Sequence, residues 1–150
     1  MIRFSALSFL LTVSMTACSV ANEAASGANV APVDLAAPPA DAMKMPSGLV
    51  SRVLKVGRGS IHPGPRAHVL VEYTGWTTDG EVFDSSSMRG RPQGFDVEDV
   101  VAGWAEGLQL MVVGEKRRFW IPGSLAFDKL DRPGAPRGTL VFDIELLALE

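Results

Sequence analysis

Four groups of residues in this chain have side chains or spacing that could do chemistry, and their surroundings decide what each can do. His62 and His68 are candidate metal ligands, but they stand six apart with no Cys or second carboxylate spaced to complete a coordination shell. Ser85, Ser86 and Ser87 lack a His and Asp partner set, so no serine hydrolase is indicated. Lys116-Arg117-Arg118 beside Phe119 and Trp120 joins charge to aromatic surface, as binders of single-stranded nucleic acid do. On an alternating strand of an acidic chain, however, that run reads as a solvated sheet face. Gly57-Arg58-Gly59 has the glycines of a phosphate loop without the helix that must follow one. What remains is a set of aromatic and branched side chains, with Asp84 on a short hairpin. By spacing alone these are core and turn residues.

The elements that must position them emerge from periodicity. Leu49–Val56 reads as a first strand, and Val69, Val71 and Tyr73 alternate with Leu70 and Glu72 as a second. Thr78-Asp79-Gly80 is a hairpin turn into Glu81-Val-Phe-Asp84. Between Val97 and Met111 the period lengthens: Val97, Val100, Val101, Trp104, Leu108 and Met111 predict one amphipathic helix, kept short by Gly103 and Gly107. Alternation returns over Glu115–Ile121, with Arg118 and Trp120 opposite Phe119 and Ile121. Leu140, Phe142, Ile144 and Leu146 form the inner face of a last strand, with Asp143 and Glu145 outside. The expected fold class is α+β, a curved antiparallel five-to-six-stranded sheet wrapped around one short helix.

Composition bounds the function. The chain has 150 residues, 14 Lys+Arg against 17 Asp+Glu, a formal net charge of −3, and one Cys. The acidic balance argues against nucleic acid as a partner, and a single Cys excludes an internal disulfide framework. No apolar run reaches the ~20 residues that span a bilayer.

Six strings occur in register: Val71-Glu-Tyr-Thr-Gly75, Asp79-Gly80, Phe83-Asp-Ser-Ser86, Val100-Val-Ala-Gly-Trp-Ala-Glu-Gly-Leu108, Met111-Val-Val-Gly114 and Leu140-Val-Phe-Asp-Ile-Glu-Leu-Leu147. Together they resemble the FKBP-type peptidyl-prolyl cis-trans isomerases over residues 47–149. The resemblance implies an FKBP-like half-barrel and rotation about X–Pro bonds in proline-containing polypeptides. It also implies a macrolide ligand of the FK506 type, and neither cofactor nor metal. It assigns Tyr73, Phe83, Val100, Val101, Trp104 and Phe142 to the pocket lining, with Trp104 as the floor and Phe95 retained beside them. Asp84 matches the carboxylate facing the substrate carbonyl, Arg89 its basic partner, and the Val101 N–H a donor to a ligand carbonyl.

Four departures touch that site. Phe127 stands where the family usually has a Tyr whose hydroxyl bonds the peptide, and Asp128 follows in place of Gly. The loop Lys129–Gly138 lacks the family's Ile-Pro-Pro, and Gln93 stands at a position that is commonly Phe. A lost hydroxyl removes a bond worth about 0.5–1.5 kcal/mol, which weakens turnover without abolishing it. A second expectation therefore stands beside the enzyme, a catalytically weak prolyl-peptide-binding chaperone or scaffold using the same pocket.

The N-terminus reads as an address. Arg3 precedes a short apolar core, Phe4–Val13, and small residues lead to Cys18, the three-part plan of a secretory signal. Met15-Thr-Ala-Cys18 resembles the lipobox of bacterial lipoproteins, with Met15 in place of the usual Leu. Residues 1–17 are thus expected to be a signal peptide, Cys18 the lipidated residue, 19–46 an Ala/Pro-rich tether and 47–150 the folded domain. Acyl chains on Cys18 anchor by burying methylenes at about 0.8 kcal/mol each. Ser19 resembles the pattern of lipoproteins sent to the outer membrane, which places the domain on its periplasmic face.

Overall fold

The computed structural model describes residues 30–150, so the signal segment and Cys18 lie outside the described residues. Among the described residues seven strands are present: β1 (Met43–Lys44), β2 (Val50–Lys55), β3 (His68–Thr77), β4 (Val82–Ser85), β5 (Gln93–Asp96), β6 (Lys116–Ile121) and β7 (Leu140–Leu149). The one α-helix among the described residues, α1 (Ala102–Leu108), lies between β5 and β6. The sheet runs β1-β2-β6-β7-β3-β4, with β5 also paired to β3, and every pairing is antiparallel.

Strand alternation separates the two faces. Val69, Val71 and Tyr73 of β3, Phe119 and Ile121 of β6, and Phe142, Ile144 and Leu146 of β7 join Trp104 and Leu108 of α1 in one core. The helix can sit this close because two of its positions carry no side chain. A Cβ on Gly103 would lie 2.4 Å from Cγ2 of Ile121, and one on Gly107 2.7 Å from Cε1 of Phe119.

The helix is shorter than its periodicity predicts. Val97–Asp99 forms a single 3-10 turn, and Val100 and Val101 are extended, with ψ of 164° and 152°. β-branched side chains fit that extended backbone better than a helix start. The apolar spacing from Val97 to Leu108 is therefore produced by a turn, two extended residues and seven helical ones, and Met111 lies beyond the helix end.

The packed fold also begins well before residue 47, which corrects the expected tether boundary. Leu35 is buried on the outer face of the sheet with Trp76, Trp120 and Val141. The Trp120 Nε1–H donates to the Asp34 carbonyl at 3.0 Å, and the Asp34 carboxylate pairs with Arg118. Met43 and Lys44 then pair with Ser51 and Val50, adding an edge strand from the supposed tether. One leucine and one aspartate thus order a stretch that has no periodicity of its own. The same contacts correct the reading of the basic run. Arg118 is covered rather than solvated, and it also donates to Asp143 at 2.6 and 2.8 Å. Burial lowers the Arg118 pKa by stripping water, but the Asp143 and Asp34 carboxylates outweigh this and raise it overall. Arg117 is buried as well, donating to Glu115 at 2.6 Å.

Candidate active site

The inner face of the half-barrel is open at one end. There a cavity of about 1040 Å³ is walled by β3, β4, β5, β7, the start of α1 and the loop that follows β6. Its floor is Trp104, brought there by the first turn of α1. Three rings meet its indole edge-on: Tyr73 at 5.0 Å, Phe142 at 5.3 Å and Phe95 at 5.4 Å between centroids. Phe83 continues the wall by packing edge-on against Phe142 at 5.4 Å. Such edge-to-face pairs match a positive ring edge to a negative face, so they fix orientation as well as fill space. Val100 and Val101, extended just before α1, complete this side. Val101 is the N-cap residue of α1. Its carbonyl accepts from Ala105 N–H at 3.0 Å, while its own N–H has no acceptor among the described residues.

The polar part of the site is one connected cluster. Asp84 is the next-to-last residue of the hairpin strand β4 next to β3, where Gly75 pairs with it in register. Its carboxylate accepts from the Tyr73 hydroxyl at 2.8 Å, from the Ser85 N–H at 2.9 Å and from Arg89 Nη1 at 2.8 Å. Arg89, at the end of the 3-10 turn Ser87–Arg89, also donates to the Tyr73 hydroxyl. Burial raises the Tyr73 phenol to about 12, and the adjoining Asp84 carboxylate adds to the effect against the opposing pull of Arg89. The phenol therefore keeps its proton through the physiological range and remains a donor. Arg89 is raised in turn, chiefly through the Tyr73 oxygen, with burial opposing and Asp84 adding.

All ten residues singled out for the pocket from sequence line this one cavity: Tyr73, Phe83, Asp84, Arg89, Phe95, Val100, Val101, Trp104, Phe127 and Phe142. Gln93 lines it too. The reading from sequence missed Asp99, Ser124 and the individual members of the run Lys129–Arg132, which also line the wall. Asp99 ends the short turn Val97–Asp99, and nothing in its spacing marks it. The loop residues carry no periodicity, so only tertiary placement shows them. The histidines fall elsewhere: His62 Nδ1 lies 3.0 Å from the Met111 carbonyl, and His68 Nδ1 lies 2.7 Å from Asp96.

A half-barrel on a short helix, holding an aromatic slot edged by one carboxylate cluster, defines a class of domain that receives a compact apolar ring. The family model described as FKBP-type peptidyl-prolyl cis-trans isomerase matches residues 59–147, and this chain belongs to that family. It is 47% identical over 105 residues to the "FKBP-type peptidyl-prolyl cis-trans isomerase FkpA" of Aeromonas hydrophila, which covers 69% of this chain and 39% of the relative. It is 40% identical over 108 residues to the "Outer membrane protein MIP" of Legionella longbeachae, covering 71% and 46%. The crystal structure of FkpA from Escherichia coli superposes with a TM-score of 0.70 at 39% identity, covering 75% of this chain and 53% of that one. The chain thus spans less than half the length of either curated relative.

Proposed function

We propose that the chain is a peptidyl-prolyl cis-trans isomerase that accelerates X–Pro rotation in exported proteins as they fold. The observation that carries this reading is the aromatic slot floored by Trp104 with Asp84, Tyr73 and Arg89 at its edge. Rotation about an amide must overcome a barrier of about 18–20 kcal/mol, which comes from resonance. In the twisted transition state resonance is lost and the carbonyl dipole shrinks. An apolar slot therefore favours the twisted form over the planar one, and the rate rises by differential binding. No bond is made or broken, so neither nucleophile nor cofactor is needed.

In this reading the prolyl ring rests on Trp104 between Tyr73, Phe95 and Phe142, with Phe83, Val100 and Phe127 closing the sides. The Val101 N–H takes a substrate carbonyl, and Asp84 faces the carbonyl of the rotating bond. Tyr73 and Arg89 hold that carboxylate in place, which spares reorganisation during rotation. An FK506-type macrolide would occupy the same slot. The envelope placement is supported by the printed name of the Legionella relative, and the lipid on Cys18 by the sequence around it. Among the described residues no helix is long and apolar enough to cross a membrane.

The test is the isomerisation rate of a short Xaa-Pro peptide with the purified full chain in mild detergent, beside Asp84→Ala. Clear acceleration that falls about tenfold in Asp84→Ala, equivalent to ~1.4 kcal/mol of barrier, is expected. No acceleration by the native chain, with gain in Phe127→Tyr, would instead establish a prolyl-binding module without useful turnover.

A further inference from the structure

On the loop side of the cavity several main-chain donors are spent within the loop itself. The N–H groups of Ala126 and Asp128 both donate to the Gly123 carbonyl, at 3.1 and 3.0 Å, and Leu130 N–H donates to Phe127 at 3.0 Å. Arg132 N–H donates to Leu130 at 2.9 Å. The loop is also braced from outside. Arg137 Nη1 donates to the carbonyls of Phe127 and Asp128 at 2.7 and 2.8 Å, and the Asp128 carboxylate accepts from Gly138 N–H at 2.8 Å. Phe127 itself offers only an apolar ring to the cavity. The N–H groups of Phe127, Lys129 and Asp131 have no acceptor among the described residues, but none of them carries charge.

One side chain adds a charged, planar donor to this wall. The Arg132 guanidinium lies over the Phe127 ring, its Cζ 5.6 Å from the centroid, and it lines the cavity. None of its side-chain N–H groups has a carboxylate or carbonyl partner among the described residues. The ring holds the guanidinium by cation–π attraction, which leaves its in-plane donors free for an acceptor. Lys129 lines the same wall, but a flexible ammonium has no ring to fix its place.

We propose that Arg132 is a substrate-binding and specificity residue, donating to a peptide oxygen beside the prolyl ring, either a main-chain carbonyl or an acidic side chain. The inference rests on the isomerase reading of the same cavity. With the Val101 N–H across the slot, Arg132 gives the peptide a second point of attachment, so the effect falls on binding rather than on rotation.

The experiment measures KM and kcat for three peptides differing only in Ala, Gln or Glu before Pro, using the full chain, Arg132→Ala and Arg132→Lys. Arg132→Ala raises KM about fivefold with kcat within about twofold, the pattern of lost uniform binding. Arg132→Lys recovers only part of the loss, because it keeps the charge without the planar fork. A rise shared by all three peptides assigns the main-chain carbonyl, and a rise confined to the Glu peptide assigns the carboxylate. Unchanged KM for all three in Arg132→Ala overturns the proposal. Should the native chain turn over no peptide, the isomerase reading fails separately. Tryptophan-fluorescence titration with the same peptides then decides Arg132: weaker binding in Arg132→Ala supports it, equal binding rejects it.

Discussion

Tyr73 is the only tyrosine of the chain, so its ionisation can be followed alone. Absorbance near 295 nm titrated against pH should show one phenolate step near 12 rather than at the ordinary 10.0. Burial is the larger cause, so Asp84→Asn should lower the midpoint without returning it to the free value, whereas Arg89→Ala should raise it further. The sign for stability follows from linkage. A folded-state value above the unfolded one means that the native state holds the proton more tightly. The contribution is fully present below about 10, and is lost as pH rises through about 12. A midpoint at 10 in the folded chain would remove the burial and the Asp84 contact from the picture. At this scale Asp84, Tyr73, Phe83, Trp104 and Phe142 were legible through the family resemblance, because they sit in strings with a fixed order along strands and helix, whereas by spacing alone they are core and turn residues. Arg132 was not legible. Its role depends on a loop folding back over Phe127, and a loop of Pro, Gly and charged residues carries no period from which that could be read.

Leu35 and Asp34 show what a non-periodic segment can do when a folded surface is ready to receive it. The strand and helix elements announced themselves by spacing, whereas the docking of residues 34–44 depends on Trp76, Trp120 and Arg118 meeting on the outer face of three strands. Composition predicts a tether there because Ala- and Pro-rich sequence cannot build a core, and it does not: it borrows one from the sheet. Leu35→Ala should cost about 2 kcal/mol, the low end for a buried leucine because an edge segment can settle into the space. Urea or thermal unfolding of the full chain measures the loss. The inner-face cavity is on the other side of the sheet, so isomerisation by the folded variant should stay at the native rate. A fall in rate without a fall in stability would mean that the outer segment and the cavity are coupled through the sheet. The helix teaches a related lesson. Its expected length came from apolar recurrence alone, but recurrence at three and four residues does not require helical backbone throughout. A 3-10 turn and two extended valines put Val97 and Val100 on the same side as Trp104.

For the molecule as a whole, the arrangement of the two faces sets how an anchored domain would be presented. The chain reaches the sheet at Asp34 on the outer face, while the cavity opens from the inner one. Fifteen residues separate Cys18 from Asp34, and sixteen Cα steps span at most about 58 Å even when fully extended. An acylated Cys18 would therefore keep the slot within reach of polypeptides near the membrane surface. The chain's net charge of −3 gives it little electrostatic attraction to anionic lipid, so attachment would depend on acyl chains rather than on surface charge. Growth with labelled palmitate, followed by membrane fractionation, tests this directly. The native chain should carry label and sediment with membranes, and Cys18→Ser should carry none and move to the soluble fraction. If Cys18→Ser stays at the membrane without label, something other than acylation holds the chain there, and the lipoprotein reading of Met15–Cys18 falls while the cavity and its chemistry stand.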